Sequence, residues 1–213
     1  MKFISNFKIL IPIFFMGLPI GEAWARSGTS WEDLKIAYAA YVEISSAKNV
    51  YRVNEAITEC ENAPVETPIS SYVESHSVRA QRDAGEYIMS HLDVLEKQVK
   101  AGDRASIGMA YRLLTISDSE FSEDITEILD KPIHWNPELF LKCLVDNRRS
   151  LEKRGSLNDL LTFMGTAFVD QPGQPEKEYR LRIRDLQKVT NPGLKDIRVE
   201  CIKTLTEEMH KSD

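Results

Sequence analysis

The sequence predicts an all-α protein of antiparallel helical hairpins, and three observations carry that prediction. Apolar residues recur at i, i+3, i+4 and i+7 along almost the whole chain after residue 25, the period of one face of an α-helix. Ser, Thr, Asp or Asn, followed by an acid or a proline, stands before most of these stripes, where such residues satisfy the free amides of a first turn. No stretch alternates apolar and polar residues long enough to make a half-buried strand.

Residues 1–25 lie outside that pattern. Lys2 and Lys8 make a basic start, the run "ILIPIFFMGLPI" over residues 9–20 is uncharged, and Ala23 and Ala25 flank Trp24 as small residues. The run is shorter than the roughly 20 residues that span a bilayer, and Pro12 and Pro19 interrupt it, so a cleaved secretory signal is expected rather than an anchor. Cleavage would leave a chain beginning at Arg26, periplasmic or secreted, with no membrane insertion. Residues 26–213 then read as a single domain: an N-terminal helical part over 26–60, a linker over 60–69 and a hairpin array over 70–213. Loss of the leader takes the formal charge from −6 to −7, since Lys2, Lys8 and Glu22 go with it. An acidic surface repels phosphate, which argues against nucleic acid and anionic lipid as partners.

The elements follow in order. Thr29 or Ser30 caps the first helix with Glu32 or Asp33 reaching back, and Trp31, Leu34, Tyr38, Tyr41 and Val42 share its inner face. The stripe continues through Val50, Val53 and Ile57 until Pro64 and Pro68 end it. Over residues 71–100, Ala84, Ile88, Leu92, Leu95 and Val99 form one face, while the polar start reads as an exposed helix or a loop. Gly102 stops this helix and Asp103 caps the next, residues 104–115, which buries Ile107, Ala110, Tyr111 and Leu114. Ser117 with Glu120 opens a helix whose stripe is Phe121, Ile125, Ile128 and Leu129, and Pro132 breaks it. Asn136, Pro137 and Glu138 give a cap, a first-turn proline and a first-turn acid, and Leu139, Phe140, Cys143 and Leu144 follow inside. Ser156 and Asp159 start a helix lined by Leu157, Leu160, Leu161, Met164 and Phe168. After a turn-rich link, helix 176–189 turns Tyr179, Ile183 and Leu186 inward and leaves Arg180, Arg182 and Arg184 outward or at its edge. Asn191–Pro192 repeats the start device before Leu194, Ile197, Cys201, Leu205 and Met209.

Helix starts about 15 to 20 residues apart from residue 103 onward, joined by short links, predict antiparallel neighbours. Two helices per unit give a period of about 35–40 residues, as in a short HEAT-like or tetratricopeptide-like α-solenoid. No internal repeat is visible and the tetratricopeptide signature is absent, so an irregular globular helical bundle is the alternative.

The chemistry-bearing residues are few. His76 and His91, with Glu74, Glu86 and Asp93 nearby, are the candidates for a metal site or an enzyme site assembled from distant helices, although Glu86 and His91 stand five apart and diverge on a helix. His134 and Trp135, between two prolines, read as a packed corner, and His210 lies in the tail. No nucleophile elbow or phosphate-cradling glycine loop occurs, so no cofactor and no catalytic residue is assigned. The acids Glu120, Glu123, Asp124 and Glu127 match no calcium loop and read as a solvated first-turn face. Of Cys60, Cys143 and Cys201, the latter two fall on inward stripes, where a disulfide would close a loop of about 58 residues. A ligand carrier would need a cavity lined by Tyr38, Tyr41, Phe163 and Met164, residues whose spacing equally suits plain core. The expectation is therefore a helical binding or scaffold protein for a protein partner, a basic one best, of inhibitor or immunity type.

Overall fold

The computed structural model describes residues 29–63, 75–117, 119–154, 157–162 and 174–211. The expected leader, most of the 60–69 linker, Ser156, Phe163, Met164 and Phe168 lie outside them. Among the described residues there are eleven α-helical segments and no strand: α1 (Ser30–Glu43), α2 (Ala47–Asn62), α3 (His76–Met89), α4 (Leu92–Lys100), α5 (Arg104–Leu114), α6 (Ser119–Asp130), α7 (Pro132–Trp135), α8 (Pro137–Arg154), α9 (Leu157–Thr162), α10 (Gln174–Gln187) and α11 (Lys195–Lys211). The all-α expectation holds.

Three of the predicted starts, at Thr29, Asp103 and Asn136, are formed by the predicted side chains. Thr29 accepts from the Glu32 amide at 3.3 Å while Glu32 accepts from the Thr29 amide at 2.7 Å, a complete capping box. Asp103 accepts from Ser106 N and Asn136 from Leu139 N. Gly102 has φ of 78°, a left-handed conformation that costs glycine little, and it ends α4.

Two breaks were not foreseen. The first stripe is two helices, separated at residues 44–46. Ser46 caps α2, and the Asn49 side-chain amide donates to both Ala40 O and Ile44 O at 2.9 Å, adding a second donor to carbonyls that already accept from the Ile44 and Ser46 amides. The linker accordingly starts later than residue 60, since Cys60 is a buried member of α2. The second break, at Ser90–His91, divides α3 from α4, with the Ser90 hydroxyl donating to Tyr87 O at 2.8 Å. The predicted stripe crosses it intact: Ala84, Ile88, Leu92, Leu95 and Val99 are all buried.

The core is organised on α5, which buries Ile107, Met109, Ala110, Tyr111, Leu113 and Leu114, residues that take up somewhat more than half of its circumference. Helices α2, α4, α6 and α8 pack around it. In a solenoid each unit touches only its sequence neighbours, whereas here α2 and α8 share one central helix. The globular-bundle alternative fits this arrangement. On one side α1 packs on α2 and α3; on the other, α7 packs on α8 and α10, and α11 packs on α9 and α10.

Candidate functional site

Buried charge is the scarcest feature of a folded interior, because an ion removed from water must be matched by partners. Among the described residues, the charged side chains classed as buried are Asp130, Arg182 and Asp185. All three meet where α6, α7, α9 and α10 converge.

Arg182 lies at the centre, 3% exposed. Its Nη2 donates to Asp130 Oδ2 at 2.7 Å, its Nε to Glu178 Oε1 at 3.0 Å and its Nη1 to Leu161 O at 2.7 Å. The last of these is a carbonyl of α9, so one guanidinium joins α10 to both α6 and α9. His134, on α7, completes the cluster. Its Nε2 lies 2.8 Å from Glu178 Oε1 and its Nδ1 3.1 Å from Asp185 Oδ2. Lys188 approaches the other Asp185 oxygen at 2.6 Å, and Arg184 lies 3.6 Å from that same oxygen.

The two acids set the protonation of the histidine. An imidazole donates from both nitrogens only as a cation, and the hydrogen bond to Glu178 holds His134 above the usual histidine range, against the opposing effect of burial. Reciprocally, His134 and then Arg182 hold Glu178 down to about 2. Burial works against ionised Asp185, but hydrogen bonds from Lys188 and His134 keep its carboxyl below the usual range. Burial pushes Asp130 up to about 6 in spite of Arg182. The signs differ. The contribution of His134 is complete below its unfolded value and is lost as pH rises through the higher folded value. That of Glu178 is complete above its unfolded value and is lost as pH falls toward about 2. Asp130 binds its proton more tightly when folded, so stability from that group declines as pH rises from its ordinary value of 3.8 toward about 6.

Chemically, the cluster can gain or lose a proton at His134. With a carboxylate on each nitrogen, the charged ring donates from both and has no lone pair to offer a substrate proton or a metal. The guanidinium and carboxylates hold one another.

The predicted site residues do not converge. His76 opens α3 and His91 follows its end, which separates them by roughly 20 Å at 1.5 Å per residue. His76 is an exposed residue 3.8 Å from Glu32, and His91 stacks on the Tyr87 ring at 4.3 Å. A metal or enzyme site shared by His76 and His91 is therefore corrected: a rigid helix holds them apart, and among the described residues no group of His, Cys, Asp and Glu side chains is arranged to hold a metal ion. His210 is exposed near the end of α11. Cys143 and Cys201, the candidate pair, are buried as predicted and are free thiols in this structure, as is the buried Cys60. Burial pushes Cys60 and Cys201 up to about 12 and Cys143 upward, which keeps them protonated and weakly nucleophilic. Tyr38 and Tyr41 are sealed in the core with ring centroids 5.6 Å apart. Tyr41 donates to Ser106 at 2.9 Å and Tyr38 to His91 O at 3.4 Å.

Arg182 is the correction that matters most. Its charge predicts a place outward or at the edge of its helix, and it is buried. The signal was present: Tyr179, Arg182, Ile183 and Leu186 stand at i, i+3, i+4 and i+7, so Arg182 occupies an inward position of the apolar stripe. Its residue type argued for solvent, and position prevailed because partners were waiting. Comparison with protein-family models, curated proteins and solved structures found no match.

Proposed function

We propose that the protein is an exported helical binding or scaffold module, of inhibitor or immunity type, that engages a protein partner through its outer helix faces. The observation that supports this most is the exposure of large apolar side chains on the first three helices. Ile36 is 60% exposed, Ile44 66%, Tyr51 62% and Val78 48%. They lie on or beside α1, α2 and α3, where α1 packs against both neighbours. Scattered exposed apolar residues are ordinary, but several on one packed trio suit a contact surface. Polar chemistry offers a weaker case, since the deepest charges are matched within the chain. The negative net charge of −6 favours encounter with a basic partner.

A photo-crosslinking residue at position 51, compared with one at exposed Lys195 on α11, tests the reading in cells. The expected result is a discrete crosslinked species at position 51 that Ile36→Asp and Ile44→Asp abolish. Equal labelling from both positions, unaffected by those changes, defeats the proposal. Export is tested separately by N-terminal sequencing, which should begin at Arg26.

A further inference from the structure

We propose that His134 is a proton-operated fastener, which ties the α7 corner to α10 when charged and lets it go when neutral. Helix α7 has only four residues, too few to be stable by its own hydrogen bonds. It is held by burial of Pro132 and Ile133 and by the grip of His134 on α10. Of these holds, only the last responds to a proton.

The charges around the ring make the response one-sided. Helix α10 faces it with Glu178, Arg182 and Asp185, the last also paired to Lys188 and near Arg184. From the end of α6 come Asp130, committed to Arg182, and Glu127, which pairs with Lys131 at 3.2 Å. Helix α8, packed on α7, contributes Glu138 and Lys142, paired at 2.7 Å. With the ring charged, Asp130, Glu178 and Asp185 are met by Arg182, His134 and Lys188. Loss of the proton removes one cation and leaves one ring nitrogen as an acceptor facing a carboxylate. Arg182 is not free to compensate, because Asp130 and Leu161 O hold its other nitrogens. Water reaches the ring, whose side chain is 38% exposed, so the proton exchanges without unfolding.

The test follows the His134 ring by NMR across a pH titration of the full chain, with amide exchange measured over residues 132–136 and 176–187. His134 is expected to titrate above the ordinary value of about 6.5. Exchange in both segments should rise about tenfold, beyond its intrinsic pH dependence, across that same midpoint, while α1 and α2 show no step. In His134→Gln the step should vanish and exchange should stay at its high-pH level throughout. Titration of His134 at or below the ordinary value, or a step that persists in His134→Gln, overturns the proposal. If His134→Gln fails to fold, the native chain decides alone: an exchange step away from the His134 midpoint overturns it, and coincidence supports it.

Discussion

Where α1, α2 and α5 meet, the buried polar side chains Tyr41, Asn49 and Ser106 are neutral, and among the described residues the one ion they touch is the Asp103 carboxylate at the start of α5, which accepts from Ser106. Tyr41 donates to Ser106, and Asn49 spans the end of α1 with two bonds of 2.9 Å. Where α6, α7, α9 and α10 meet, they are ions, with Arg182 held by Asp130, Glu178 and the Leu161 carbonyl. The two regions bury polar atoms with opposite liabilities. A neutral hydrogen bond contributes about 0.5–1.5 kcal/mol net and is indifferent to pH and salt. A buried ion is tolerated only while all its partners are present, so the charged junction responds as a unit.

The sharpest way to break the comparison is to remove its central ion. Arg182→Ala strips Asp130 and Glu178 of their shared partner and takes the guanidinium donor from Leu161 O. A loss of about 3–5 kcal/mol is expected in denaturant unfolding, and a loss below about 1 kcal/mol would show that the junction is no more sensitive than the neutral corner. Next in size, Asn49→Ala removes two hydrogen bonds from the Ala40 and Ile44 carbonyls, which keep the Ile44 and Ser46 amides as donors. It should lose about 1–3 kcal/mol, by the same amount from about pH 5 to about pH 9, because no titrating group is involved. A pH-dependent loss would erase the distinction. The smallest effect belongs to an exposed ion pair. Arg148 holds Glu200 with two bonds of 2.8 Å between α8 and α11, yet Arg148→Ala should cost only about 0.2–1 kcal/mol, and less still at high salt. A larger loss would mean that surface charge, not burial, governs ionic stability here.

Much of the fold was legible because capping and periodicity act over a few residues. Thr29, Asp103 and Asn136 start helices by bonds that span three positions, and stripes such as Phe121, Ile125, Ile128 and Leu129 are buried as spaced. The breaks at residues 44–46 and 90–91 were not legible, since neither contains proline or glycine and the apolar period passes through both. The candidate site was hidden for a different reason. His134 and Asp185 stand 51 positions apart, and Asp130 and Arg182 52 apart, beyond any local pattern.

The sequence by itself determined that this chain is helical, where most helices begin and which faces turn inward, because those outcomes follow from backbone capping and hydrophobic spacing along one element. Only the tertiary structure decided that α5 is central, that α7 is clasped to α10 and that Arg182 goes inside with its partners. Those outcomes depend on which distant charges come within reach, and an ion's burial is favourable or ruinous according to neighbours that its own helix does not contain.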